Sequence, residues 1–161
     1  MKCMLRTIVI AVCVFVSVGV FSQQSDFFLL GKLGYHYGDP GDRIALGADV
    51  RVGLTDPLKI SSGFTFGFPH GGVTGLDVNV NALYSIPVGE TPLEVYPLAG
   101  LNMDNNRYNK DGFKRSWTKW GVNLGAGLDY YIATYDFINI DIQYTFVRGY
   151  AKAMIGYGHR F

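Results

Sequence analysis

Beyond its first 22 residues this chain has no cysteine, no block of like charge, and no apolar run long enough to cross a membrane as a helix. Each absence excludes something. Without cysteine the body of the protein cannot be a disulfide-held secreted domain. Without about 18 continuous apolar residues it has no transmembrane helix after the N-terminus. A formal charge of +1 over 161 residues argues against a nucleic-acid partner, which needs a basic surface. No His, Asp or Glu spacing suits a metal. No glycine-rich piece precedes a helix, as a phosphate loop must. No metal and no cofactor are expected.

The N-terminus has the composition of an address. Lys2 and Arg6 form a basic start, Ile8 to Phe21 is nearly all apolar, and Ser22 offers a small residue for cleavage. This is the pattern of a Sec signal peptide over residues 1–22, with one domain over residues 23–161. The apolar run is about 14 residues, short of the roughly 20 a spanning helix needs. Cys3 and Cys13 leave with it. So do Lys2 and Arg6, which brings the formal charge to −1. Lipoprotein processing at Cys13 is disfavoured by the bulky Val12 before it.

What the rest of the chain has is alternation. Ile138, Ile140, Ile142, Tyr144 and Phe146 take one parity; Asn139, Asp141, Gln143 and Thr145 take the other. Period two means a strand with one apolar and one polar face. The same pattern predicts strands over 27–37, 43–54, 58–68, 73–86, 93–103, 118–132, 137–147 and 150–161, eight in all. Gly-Asp-Pro-Gly at 38–41, Asp56-Pro57 and Gly71-Gly72 mark turns. Pro97 predicts a bulge or a local break in pairing, because it brings no N–H. Leu83 is an apolar residue on a polar face. Asp104 to Trp117 reads as the longest connection, a loop.

Alternation fits two opposite proteins: a soluble barrel with its apolar face inward, as in lipocalins, or a membrane barrel with that face toward lipid. Glycine separates them. Twelve strand glycines, among them Gly47, Gly63, Gly127 and Gly158, share the polar face, while Gly31 alone shares the apolar one. A solvated face favours Thr, Lys or Glu over glycine. A narrow lumen needs small residues beside its large ones. The polar face is therefore the interior. Apolar stretches of about ten residues suit tilted spanning strands. Aromatics gather at both ends of the apolar face, with Tyr35, Tyr37, Phe66, Phe68, Trp120 and Phe146 at one rim. Phe27, Tyr84, Tyr130, Tyr157 and Phe161 stand at the other. These are two interface girdles. The reading is all-β: an eight-stranded antiparallel up-and-down transmembrane β-barrel, integral to the outer membrane of a Gram-negative cell, with both termini in the periplasm.

Gly121-Val-Asn-Leu-Gly-Ala-Gly-Leu-Asp-Tyr130, Val95-Tyr-Pro-Leu-Ala-Gly-Leu101 and Asn81-Ala-Leu-Tyr84 resemble strands of the small outer-membrane β-barrel domain family, the OmpA/OmpX-like barrels. The region Phe21-Ser-Gln-Gln24 is similar to Bacteroidota signals, which suggests a porin-family protein of that type. The resemblance covers about residues 27–161. It implies contact with outer-membrane lipid and lipopolysaccharide, and handling by the barrel assembly machinery. Tyr157-x-x-x-Phe161 resembles the signal that machinery reads, although His159 stands where an aromatic or apolar residue is commoner. With the chain ending at Phe161, the periplasmic peptidoglycan-binding domain of full OmpA-type proteins is expected to be absent.

The predicted lumen holds Lys32, Arg51, Lys59, Lys119, Lys152 and Arg160 against Asp49, Asp77, Glu94, Asp129 and Asp141. Unpaired charge in a narrow interior is costly, so a salt-bridge network that plugs the barrel is expected, with Lys32 paired to Asp49. The alternative is a thin path for ions or small solutes. The predicted external loop carries Arg107, Tyr108, Lys110, Phe113, Lys114, Arg115 and Trp117. Such loops on rigid scaffolds bind partners, here an envelope protein complex, another protein or a glycan. Catalysis is the third class. A lipid A-modifying site would need a serine within reach of a base, and His36, His70, His159 and Ser116 show no such arrangement. The expected role is non-enzymatic, with no catalytic residues.

Overall fold

A computed structural model describes residues 26–38, 41–110, 113–146 and 149–161. The expected signal peptide, residues 1–22, lies outside the described residues. So do Asp39 and Pro40 of the predicted first turn, Asp111 of the predicted loop, Val147 at the end of the predicted seventh strand, and Arg148.

Eight strands close into one antiparallel barrel: β1 Phe27–Gly38, β2 Arg43–Gly53, β3 Leu58–His70, β4 Val73–Tyr84, β5 Leu93–Lys110, β6 Phe113–Tyr131, β7 Asp136–Thr145 and β8 Tyr150–Arg160. Each pairs with its chain neighbour, and β1 pairs with β8 to close the cylinder. A two-residue strand, Ile86–Pro87, continues the line of β4 against Val95 and Glu94. Closure removes every sheet edge from the lipid zone, where an unpaired backbone group has no water to satisfy it.

The register sets the shape. Paired residues lead once round the barrel from Trp120 through Met103, Val78, Phe64, Ala48, Gly31, Tyr157 and Ile138. They return to β6 at Tyr130, ten residues from the start. A stagger of ten residues over eight strands tilts the strands by about 40° at ordinary strand rise and spacing. A cylinder of that size is filled by its own side chains.

The two faces separate as the alternation requires. Ile140, Val80 and Leu124 are 41%, 49% and 46% exposed on the outer wall, while Asp141 and Asn79 are 1% and 3% exposed inside. The aromatics of both predicted girdles are exposed on that outer wall. The glycines repeat the division. A Cβ on Gly31 would meet nothing within 4 Å, whereas one on Gly63 would strike the Asp49 carboxylate and one on Gly127 the Tyr96 phenol. Two apolar clusters interrupt the polar interior: Phe28, Leu30 and Phe137 near the termini, and Leu83, Tyr96 and Leu98 on the opposite wall. Leu83 thus lies inside, against lumen neighbours of its own kind.

One expectation is corrected and another is met. The segment Asp104 to Trp117 is not a loop. β5 and β6 stay in register from Leu93↔Tyr130 to Lys110↔Phe113, so only two residues of the chain separate the last pair. Above the lipid band the outer face of a strand meets water, as at Arg107, Asn109, Ser116 and Thr118, so hydrophobic alternation fades although the ladder continues. Pro97 brings the expected local break in pairing, and it falls on the β4 side alone, since the β5–β6 ladder is unbroken opposite Ala126. β4 pairs as far as Leu83↔Leu98 and resumes at Ile86↔Val95 in the same register. Tyr84 and Ser85, which face Pro97 and Tyr96, are skipped, and Ser85 donates its N–H to the Pro57 carbonyl at 2.6 Å instead.

Candidate functional site

Two regions hold the polar and exposed residues that carry chemistry: the barrel interior and the β5–β6 hairpin. The interior is layered, because inward positions of neighbouring strands fall at common heights. At the end holding the termini, Lys59 Nζ lies 2.8 Å from Glu94 Oε2 and 4.9 Å from the Phe28 ring centre. Arg160 lies 2.8 Å from Asp26. These residues, with Gly53, Asp56 and Tyr131, line an open cavity of about 330 Å³.

The middle is densely paired. Arg51 Nη1 donates to Asp129 Oδ2 at 2.7 Å and Nη2 to the Tyr96 hydroxyl at 3.0 Å. Asn139 Nδ2 donates to both the Tyr96 oxygen and Asp129 Oδ1 at 2.7 Å. Lys32 lies between two carboxylates, paired with Asp49 and 2.6 Å from Asp141, which also accepts from Gln143 at 3.0 Å. The gap among Lys32, Asp49, Arg51, Tyr96, Asp141 and Gln143 has no room for a water molecule. Toward the far end, Asp77 accepts from Lys152 at 3.0 Å, from Asn102 at 2.5 Å and from the Tyr150 hydroxyl. His36 stacks on Tyr150 at 5.6 Å.

Nine of the eleven charged positions predicted for the lumen sit inside it or at its mouth in ion pairs: Lys32, Asp49, Arg51, Lys59, Asp77, Glu94, Asp129, Asp141 and Lys152. Two stand elsewhere. Lys119 shares the inward parity but is exposed on the hairpin. Arg160 is a half-exposed rim residue, paired with Asp26. Both sit where the strands run past the closed cylinder, so parity alone put them inside.

Sequence reasoning passed over the uncharged partners. Tyr96 accepts from Arg51 and Asn139, and Tyr150 donates to Asp77, inside the barrel, although an aromatic in a strand reads as wall. Asn79, Asn81, Asn102, Asn106, Asn123 and Asn139 are all buried. Amide chains run from Thr145 through Asn123 to Asn81 and Asn79, at 2.7, 3.3 and 2.9 Å. Their shared parity with the glycines was the available signal. Arg43 and Asp104, also buried, were missed as the first residue of a strand and a supposed loop residue.

The histidines and the serine do not form a catalytic set. His36 is inside the barrel, His70 is exposed at the β3–β4 turn, Ser116 is exposed on the hairpin, and His159 lies at the opposite end. There His159 Nδ1 is 2.8 Å from Asp136 Oδ1, which also accepts from the Tyr157 hydroxyl at 2.6 Å. Tyr157 and Phe161 border the β1–β8 seam. The Phe161 N–H donates to the Phe27 carbonyl at 2.8 Å, and the two rings are 5.8 Å apart.

On the hairpin, Arg107, Lys114, Arg115, Ser116, Thr118, Lys119 and Trp120 are exposed, and Tyr108 and Trp117 are half-buried. Lys110 and Phe113 close it as its last pair.

A closed antiparallel cylinder with an apolar outer band, aromatic girdles at both rims and charge packed within is a transmembrane β-barrel. Residues 15–158 match the family described as outer membrane protein beta-barrel domain, and the chain belongs to that family. It is an integral outer-membrane protein. Among solved structures it is similar to the N-terminal β-barrel domain of Pseudomonas aeruginosa OprF (22% identity, TM-score 0.72, covering 84% of this chain and 97% of that one). It is also similar to Ail, the attachment invasion locus protein of Yersinia pestis (17%, 0.63, 85% and 98%), and to OprG of Pseudomonas aeruginosa (14%, 0.58, 85% and 95%). At these identities the likeness is one of fold. No curated protein matches the chain. In such barrels short turns face the periplasm and longer connections the outside. That places the termini and the Ile132–Tyr135 turn in the periplasm, and the β5–β6 hairpin outside the cell.

Proposed function

We propose that this protein is a sealed, non-enzymatic barrel whose lumen charges serve stability and whose external hairpin does the work, as an interaction element of the envelope. The middle layer carries the reading: Arg51, Asp129, Tyr96, Asn139, Lys32, Asp49 and Asp141 are linked by hydrogen bonds and ion pairs, and the gap lined by Lys32, Asp49, Arg51, Tyr96 and Asp141 has no water-sized space. Buried charges are held in place when their partners are fixed on several strands, and breaking one pair strands the other. An ion would have to displace at least one such pair.

In this reading residues 1–22 are a signal peptide cleaved after Ser22, residues 23–161 are the mature domain, and Tyr157 and Phe161 are read by the barrel assembly machinery at the seam they border. The exposed cations and aromatics of the hairpin would meet lipopolysaccharide or another envelope component.

Planar bilayers test the sealed lumen. The purified protein is expected to give no steady discrete conductance. Stable steps that vanish in Lys32→Ala or Arg51→Ala would instead establish a narrow pore, a reading favoured by the open cavity at the periplasmic mouth. Lipid A from overproducing cells is expected to keep its mass spectrum; a new species would make the protein an enzyme.

A further inference from the structure

The strands do not end at one height. β4 covers β5 as far as Val73↔Tyr108, and the Asn109 N–H reaches the Gly72 carbonyl at 2.8 Å. β6 has no such cover. β7 ends at Thr145 opposite Asn123, and one more hydrogen bond, from the Phe146 N–H to the Val122 carbonyl at 3.1 Å, closes that ladder. The Gly149 N–H donates back to the Thr145 carbonyl at 3.0 Å. Among the described residues, no strand lies beside β6 from Lys114 to Trp120 on the side away from β5.

The direction of the uncovered groups follows from parity. In an antiparallel strand alternate residues turn both N–H and C=O to the same neighbour. Val122 turns toward β7, and Tyr131, of the other parity, turns its N–H toward the β5 side, to the Pro92 carbonyl. Trp120, Thr118, Ser116 and Lys114 therefore present their backbone groups to the open side. A row of this kind is a template for another strand.

Charge decides what fits it. Residues 113–120 include Lys114, Arg115 and Lys119 and no acid, and all three cations are exposed. A second copy pairing edge to edge would set these cations against one another, and like charges across a ladder are destabilising. We infer that the open edge of β6 accepts an extended, acidic segment of another protein as an added strand. Its backbone would pair with Lys114, Ser116, Thr118 and Trp120, and its carboxylates would lie beside Arg115 and Lys119 on one face and Lys114 on the other. Main-chain bonds supply the affinity in such strand addition, and alternate side chains supply the choice. The inference rests on the reading that the hairpin is the interaction element and names its partner class.

The test uses the full barrel, refolded in micelles, and two labelled peptides of equal charge. Ac-EVEVEVE-NH2 can form a ladder; Ac-EPPEPPEPPE-NH2, with the same four carboxylates and prolines at both parities, cannot. The first is expected to bind at least tenfold more tightly and to slow amide exchange at Ser116 and Thr118 at least tenfold. Ser116→Pro deletes a donor on the open side and leaves the donors facing β5, so it is expected to erase the difference between the peptides. The exchange measurement on the unaltered protein keeps the test decisive if that variant fails to fold. Equal binding of both peptides, displacement of both by a sulfated polysaccharide with no change in exchange, dimerisation through this edge, or no binding each overturns the inference. If removing the hairpin abolishes capture of an envelope partner while Ser116→Pro does not, the hairpin reading stands and the strand-addition inference falls.

Discussion

Gly127 faces the Tyr96 phenol and Gly63 faces the Asp49 carboxylate, at distances that leave no room for a methyl group. Both neighbours are held by buried partners, Tyr96 by Arg51 and Asn139 and Asp49 by Lys32, so neither yields cheaply. Gly127→Val and Gly63→Val are expected to cut the fraction that refolds severalfold, read as the band that shifts on heating in a gel. Gly31→Ala, on the outer wall, should refold as the parent does; equal damage at all three positions would contradict the orientation of the wall. Arg51 gives the second prediction at this scale. Truncation to Ala leaves Asp129 buried without its cation, which costs about 3–5 kcal/mol for a buried pair. The Arg51→Ala, Asp129→Ala double variant should lose clearly less than the sum of the two single losses in urea unfolding. Strict additivity would mean the pair is not coupled.

At the scale of elements, the hairpin and the barrel it grows from are separable. Residues 108–115 contribute no lipid-crossing wall, so replacing them by a two-residue turn between Arg107 and Ser116 should leave the unfolding midpoint unchanged while weakening capture of any external partner. A large drop in the midpoint would make the hairpin part of the barrel's support. The periplasmic turn into β7 carries a pH dependence. Asp136 is held below the usual carboxylate range, first by its hydrogen bond with His159 and then by the one from Tyr157. A carboxyl depressed in the folded state stabilises above its unfolded pKa, near 4. That contribution is lost as pH falls through the lower folded value. Unfolding midpoints should therefore drop on acidification below about pH 4, and Asp136→Asn should reduce that drop. An unchanged acid limb in the variant would show that the local hydrogen bonds carry no such linkage. These elements also show what the sequence made legible. The wall strands were readable from alternation because lipid and lumen differ so sharply. The hairpin was not, since Asn105, Arg107, Asn109, Lys114, Ser116 and Thr118 meet water on the face where the wall below meets lipid.

For the whole molecule, register and closure matter more than any single contact. A stagger of ten residues on eight strands sets one tilt and one lumen width, and the side chains inside fill that width. A closed barrel of this kind resists detergent until heated, so boiled and unboiled samples should migrate differently in a gel. Identical migration, with solubility in the absence of detergent, would remove the membrane assignment altogether.

By itself the sequence determined the strand count, the antiparallel order and the side that faces lipid. Those follow from alternation and from the parity of the glycines, both local properties of the chain. It also placed Lys32, Asp49 and Asp141 on one face without saying how they divide. The tertiary structure decided the partners, because the circular register brings Arg51 of β2 against Asp129 of β6 and Lys152 of β8 against Asp77 of β4, pairs 78 and 75 residues apart. It decided as well that β6 outruns β7 and leaves an edge open, since relative strand height depends on how all eight strands are staggered around the cylinder and on no single segment.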